Sequence, residues 1–468
     1  MSGWLVARLP AMGTPVPRAI GSTGRGLDTT VLDPPAGVTD ARREASVALS
    51  GTDDRSPRGL SRRRTVYLAG AGGLGNIGAE AIFLAIILEY RRRWPDARFV
   101  LAAWHPERVR SLLGGLRGDF AVIPQSTPLD RPRDLRVADV FVVCGDVALT
   151  ETVVPILPAF WAAKALWARL LGAPVVFLGI EAEPIRRRLN RWVIRRVLNR
   201  VTRHYVVRND DSRSVLAGLS ARPTTLLVGC EPALLIEDND LAPFPAPRLD
   251  RQGAELLVGF SVRDHFAEPL RLDLRRARLR RRDARLGELP PTMQRTVRFL
   301  AHQADRLIER HRARVVFVPH HCLAGEAKVI LTDREVAQRI VQDMRHPDGA
   351  TILPENLHPF TVMNVYRELD LVVSMRHHAN SFAYRFGVPT VGCAISEKIV
   401  RHFRQLGQES LLVDPTHSDP SHAERIVDHV IEHRHILSDD LKKRLVAAQS
   451  AMHTALDAVM RGTCSRGS

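Results

Sequence analysis

Short apolar runs alternate with longer stretches of helical periodicity along most of this chain. Thr65–Ala69 is an apolar run, Gly70–Gly78 a glycine-rich turn, and Ala79–Arg93 carries apolar positions at helical spacing. Strand, tight turn and helix is the order this predicts. Phe99–Ala102 repeats the strand signal after a Pro/Asp turn. Ala138–Val143 predicts a buried strand ending in Cys144-Gly145-Asp146, Ala159–Leu171 a helix, and Pro174–Leu178 a strand ending at Gly179. Asn190–Arg203 predicts a basic helix, His204–Val207 a strand ending at Arg208, Asp211–Leu219 a helix, and Leu226–Val228 a short strand. Strands alternating with helices imply a parallel sheet with right-handed crossovers.

The alternation restarts after Asp238–Gly253, a stretch rich in Pro and Asp that reads as a linker. Leu256–Ser261 and Val315–Val318 predict strands, the second ending at Pro319-His320-His321. Helices are predicted over Asp333–Met344, Thr361–Leu369 and His378–Phe386, with strands at Leu371–Ser374 and Thr390–Ala394. Helical segments from Ala423 to Val459 close the chain. The fold class is therefore α/β, with two Rossmann-like lobes, parallel sheets and an inter-lobe cleft. The expected divisions are a tail over 1–63, lobes over 64–240 and 241–445, and a closing helix and tail over 446–468. The tail is rich in Gly, Pro, Ser, Thr, Asp and Arg without a sustained period, a composition expected to be disordered. In open parallel sheets, ligands bind beyond the carboxyl ends of the strands. The turns named above mark those ends.

Composition narrows the classes. Of the 468 residues, 45% are hydrophobic and 25% charged, as in ordinary globular proteins. Five cysteines without a CxxC argue against a disulfide framework or structural zinc and for a reducing compartment. No apolar stretch approaches the roughly 18 residues of a membrane span, and Met1–Pro10 is too interrupted for the apolar core of a signal peptide. A cytoplasmic location is expected. The net charge of +16 fits either solvated basic faces or attraction to an anionic partner.

The strongest candidate chemistry is Ser374-Met375-Arg376-His377-His378-Ala379-Asn380, where a strand delivers a helix N-terminus. Unpaired N–H groups and the helix dipole favour an anion there. Arg376 adds a fork of donors for carboxylate or phosphate, and a histidine such as His378 exchanges protons near neutrality. Gly73-Leu74-Gly75-Asn76-Ile77-Gly78 contains Gly-x-Gly-x-x-Gly. The following strand leads to Trp104-His105 and not to the acid that would bind a ribose, which argues against NAD. Arg208 ends its strand either as a second anion clamp or as a partner for Asp210 and Asp211. Arg263 and His320-His321 end strands of the second lobe and should face the cleft. A metal on His320, His321 and His378 is not expected, because no carboxylate or thiol stands at ligand spacing beside them.

These motifs resemble the polysaccharide pyruvyl transferase family. Gly75-Asn76-Ile77-Gly78-Ala79-Glu80 is similar to its Gly-Asn-x-Gly-Asp-Glu turn, and Arg208 with Ser212 and Leu216 to its Arg-x-x-x-Ser-x-x-x-Leu. Glu231-Pro232-Ala233 is similar to its Asp-Pro-Ala. Arg376-His377-His378-Ala379 with Gly387-Val388-Pro389 and Lys398 is similar to its Arg-Leu-His-Ala…Gly-Val-Pro…Lys signature. The resemblance spans roughly Val66 to Leu411. It implies a GT-B-like fold and transfer of the pyruvyl group of phosphoenolpyruvate to two sugar hydroxyls, forming a ketal without a further cofactor. It further implies His378 as general acid, Arg208, Arg376 and Arg263 as donor-binding residues, and Gly75, Asn76, Gly78, Glu80 and Asp146 on the glycine-turn and acceptor side.

The sequence departs from that pattern at Ala79, where an acid is expected, at Cys144-Gly145-Asp146 in place of a glycine triplet, at Glu231, and at His377. Glu80 or Asp146 are the candidates to compensate for Ala79. Arg271–Arg285 is the densest basic run. It reads as a solvated loop or as a contact with an anionic membrane or lipid-linked glycan, which would place the protein at the inner membrane face. No aromatic residue lies within it for base stacking, so nucleic acid is not the expected partner. Two other readings stand: a nucleotide-sugar glycosyltransferase of the same fold, and a catalytically degenerate homologue that binds a sugar or anion.

Overall fold

The computed structural model describes residues 63–464 apart from 126, 128, 130, 146–147, 152–154, 265–270, 274–277, 281–288 and 322–330. The expected tail, Asp146 and much of the basic run therefore lie outside the described residues.

The first lobe is a seven-stranded parallel sheet of β1 (Thr65–Gly70), β2 (Arg98–Ala103), β3 (Asp119–Pro124), β4 (Val140–Cys144), β5 (Val175–Ile180), β6 (Thr202–Val207) and β7 (Leu226–Val228), in the order β3-β2-β1-β4-β5-β6-β7. β1, β4 and β5 are buried along their whole length, as near-continuous Val, Leu and Phe in a strand covered on both faces requires.

The second lobe opens with β8 (Leu256–Ser261). Arg271–Asp273 and Arg278–Arg280 follow as a small antiparallel pair, β9 and β10. The main sheet adds β11 (Ala313–Phe317), β12 (Ala350–Ile352), β13 (Leu371–Ser374), β14 (Thr390–Cys393) and β15 (Leu412–Val413), in the order β12-β11-β8-β13-β14-β15, again all parallel. Both sheets reverse strand order beside their first strand, β1 or β8. In such sheets that switch point is where the crevice opens.

The lobes meet along one shared core. Ile82, Phe83 and Ile86 of helix Ile77–Arg93 belong to the same buried cluster as Phe360, Met363 and Phe382 of the second lobe. A hydrogen bond from Ile77 N to His320 O (2.9 Å) and a backbone bridge between Asn76 and His321 tie the glycine turn to the end of β11. The final helix, Arg434–Cys464, returns to the first lobe, where Gln449 Nε2 donates to Leu234 O at 2.7 Å.

Candidate active site

Strand β13 ends at Ser374, whose hydroxyl accepts from Arg376 N (3.0 Å) and donates to Arg376 O (2.9 Å). This local turn sets Arg376 as the N-cap of helix His377–Arg385. The helix closes at Gly387, whose φ of +68° is left-handed, while Val388 N returns to Ala383 O. Such an end favours glycine. His377 and His378 therefore occupy the first helical turn, one residue earlier than the sequence predicts.

A first-lobe carboxylate meets this turn. Glu231 is 5% exposed. Its Oε1 accepts from His378 Nδ1 at 3.0 Å and its Oε2 from the Ser381 hydroxyl at 2.9 Å. His377 Nε2 stands 2.9 Å from Oε2 as an ion-pair contact without hydrogen-bond alignment. The Arg208 guanidinium donates to the same oxygen at 3.4 Å and to Gly179 O at 2.8 Å. Burial alone would raise the Glu231 pKa. The charges of His378 and Arg208, with the close contacts of both histidines, outweigh it and hold the carboxyl well below its ordinary range. Of the two roles open to Arg208, partnership with Asp210 and Asp211 is not what the structure has; Asp210 pairs with Arg213 at 2.8 Å.

Beyond His378 the network continues into the second lobe. Arg376 forms an ion pair with Asp333, which is 1% exposed. The other Asp333 oxygen accepts from His320 N (2.8 Å) and His321 N (3.0 Å). His320 Nε2 meets the Tyr366 hydroxyl at 2.7 Å. Burial first, then the charges of Arg376 and His378, push the His320 pKa well down. Burial and Arg376 lower that of His321, and burial with His377 lowers that of His402 to about 3. In all three the shift favours the neutral imidazole. Arg263 is half-buried, donates to Asp264 O at 3.4 Å, and adds its charge to that of Arg376 at His321.

The glycine turn packs directly on this cluster. A Cβ added at Gly78 would lie 2.1 Å from His378 Cγ, so only glycine lets the ring approach the helix. Gly75, at φ +66°, donates its N–H to Glu80 Oε1 at 3.0 Å. Asn76 caps the helix by accepting from Ala79 N at 3.4 Å. Glu80 is fully buried and held by Arg108 Nε and Nη2 at 2.5 and 2.7 Å. It fixes the turn and does not offer the carboxylate missing at Ala79.

A cavity of about 430 Å³ opens beside the cluster, lined by Arg208, Glu231, His377, Tyr384, His402 and Arg444 among others. Among the described residues, Arg208 Nη2 and Arg376 Nε are buried without a hydrogen-bond partner. Buried donors are normally satisfied, so two unfilled guanidinium donors suit an anionic ligand. Glu231, His377 and His378 bring ligand atoms within 4.8 Å of one another and could also hold a cation. The Arg208 guanidinium 3.4 Å from Glu231 opposes a second positive charge there.

Asp333 is not among the candidates the sequence offers, and Glu231 stands there only in the Glu231-Pro232-Ala233 motif. Asp333 follows Thr332 in a capping box with Glu335, both of whose hydrogen bonds form. Such a capped helix start is a legible signal. Glu231 stands before a proline at the end of the first lobe, and only the docking of the lobes reveals its partners.

The structure thus defines a two-lobed α/β protein with an arginine, histidine and carboxylate site where the lobes meet. The chain belongs to the polysaccharide pyruvyl transferase family, whose model matches residues 76–397. No curated protein matches it in sequence. Among solved structures it is similar to UDP-GlcNAc 2-epimerase from Neisseria meningitidis bound to UDP-GlcNAc (12% identity, TM-score 0.53, 85% of this chain and 100% of that chain). It is also similar to Anabaena HepE in complex with UDP-glucose (15% identity, TM-score 0.52, 84% of this chain and 99% of that chain). At these identities the likeness establishes the GT-B-like fold.

Proposed function

We propose that the chain transfers the pyruvyl group of phosphoenolpyruvate to two hydroxyls of a sugar, in a cell-surface polysaccharide or its precursor, and acts in the cytoplasm. The observation that carries this reading is the Glu231–His378 pair beside arginines with unfilled donors. The donor has a carboxylate and a phosphate; Arg208 Nη2 and Arg376 Nε each offer it a donor and a positive charge, and Arg263 is the third candidate. Glu231 engages His378 Nδ1, so Nε2 is the atom that exchanges a proton. His378 protonates the methylene carbon C3 and a cation develops at C2. One sugar hydroxyl attacks C2 and returns its proton to His378. The C2–O–phosphate bond then breaks, the second hydroxyl closes the ketal, and its proton leaves with phosphate. Oriented acid–base groups of this kind contribute about 10²–10⁴ in rate.

A nucleotide-sugar reading draws on the UDP-sugar complexes of the similar structures. A thermal-shift panel separates the two. Phosphoenolpyruvate at saturation should raise the melting temperature by about a few degrees, with UDP-GlcNAc and UDP-glucose giving no shift. Stabilisation by a UDP-sugar alone would overturn the pyruvyl reading.

A further inference from the structure

We infer that the outer helical layer of the first lobe is a docking surface for an anionic lipid bilayer. The layer consists of helix Leu157–Leu170 and, beside it, the stretch Arg188–Val193, Ile194–Leu198 and Asn199–Val201, the middle part of which is a π turn. Asn190 Nδ2 donates to Pro155 O at 2.7 Å and ties the two N-termini together. Trp161, Ala165, Ile194 and Leu198 bury the inner sides of both against β4 and β5 residues such as Phe141 and Phe177. The opposite sheet face carries helix Ile77–Arg93 and its contacts with the second lobe. This layer therefore points away from the lobe junction.

Its outer side breaks the usual rule for surface helices. Nine large hydrophobic residues are exposed among those described, and five of them are here: Ile156, Leu166, Leu170, Leu189 and Trp192, the last 57% exposed. The inward stripe of the second stretch is Asn190, Ile194 and Leu198 at four-residue spacing. Trp192 and Arg196 lie opposite that stripe, as the helical period requires. The charge is one-sided. Eight arginines lie between Arg186 and Arg203, all exposed, and no Asp or Glu occurs from Pro184 to Asn209. Glu151 accepts from the backbone N–H groups of Arg186 and Arg187 and from the Asn190 side chain.

Tryptophan and leucine on a face rimmed by arginine match the interfacial zone of a bilayer, with apolar groups below the headgroups and guanidinium groups among the phosphates. Nucleic acid would match the charge and leave the aliphatic residues against water. A protein partner would require matching acids and an apolar recess at once. The helix N-termini, Ile156 and Leu189, follow the carboxyl ends of β4 and β5. The bilayer would then lie alongside the edge from which a lipid-linked substrate could enter. The inference does not depend on which donor the site uses, and it moves membrane contact away from 271–285.

Vesicle flotation tests it with the full chain. Binding is expected to vesicles of phosphatidylcholine mixed with phosphatidylglycerol and not to phosphatidylcholine alone, with a blue shift of Trp192 fluorescence that Trp192→Phe removes. The double variant Leu189→Ser/Trp192→Ser, and separately Arg195→Gln/Arg196→Gln, should each lower partitioning by about tenfold with unchanged melting temperatures. Failure of the wild type to float with anionic vesicles overturns the inference. So does flotation that neither double variant weakens, since the contact would then lie elsewhere. Tight binding of a duplex oligonucleotide, or dimerisation through these residues, without vesicle binding overturns it equally.

Discussion

Replacing His378 by alanine is expected to lower turnover by about 10²- to 10⁴-fold while phosphoenolpyruvate still shifts the melting temperature as it does for the wild type. The separation follows from the site's construction. The unfilled donors for the anion belong to Arg208 and Arg376, and Arg208 is held by Gly179 O and Glu231 independently of the imidazole. Glu231 keeps Arg208, Ser381 and His377 when His378 is cut back, so the variant does not strand a buried charge. What disappears is the group proposed to protonate C3. Turnover equal to the wild type would remove His378 from the acid role. Loss of donor binding together with turnover would make His378 a binding group.

Arg108→Ala is expected to destabilise the fold by roughly 3–5 kcal/mol, the range for breaking a buried ion pair from one side. Glu80 has no solvent exposure and takes two hydrogen bonds from this one guanidinium. Without Arg108 its carboxylate keeps the Gly75 N–H. The loss would appear as a lower urea midpoint with an unchanged slope. Adding Glu80→Gln should recover part of it, because a buried amide is cheaper to leave incompletely paired than a carboxylate. A change below about 0.5 kcal/mol, the level of an ordinary surface substitution, would show that the pair does not hold the turn.

Much of this architecture can be read from the residues. Thr65–Arg93 combines an apolar run, a glycine turn and a helical period, Leu371–Gly387 an apolar run, a turn and a helix stop, and both fold as strand, turn and helix. Elements whose signal is diluted were missed. β3 is only half-buried along its length, so its apolar run is short and mixed. Helix Pro291–His311 buries Met293, Val297, Leu300, Ala304 and Leu307 at alternating spacings of four and three, yet its arginines continue the preceding basic run and hide that period. β12 and β15 have three and two residues and are fixed by their neighbours.

At the site, local signals single out Arg208, Arg376, His378 and the glycine turn as candidates, because each sits at a strand end. What could not be read was who faces whom. Gly78 must be glycine because of a ring 300 positions later. Glu231 matters because the second lobe presents two histidines and a serine to it. Glu80 reads in the sequence as a candidate to compensate for Ala79, as does Asp146, while in the fold Arg108 pairs with Glu80. Such pairings depend on tertiary docking, which no local pattern encodes.

The central claim is that this site moves a pyruvyl group. The most direct test incubates the full chain with phosphoenolpyruvate and a panel of sugar diols, including lipid-linked precursors, and follows proton and phosphorus NMR together. A new ketal methyl singlet growing in step with inorganic phosphate, and absent with His378→Ala, is the predicted result. No ketal signal with any acceptor, together with consumption of a UDP-sugar offered in the same panel, would contradict it.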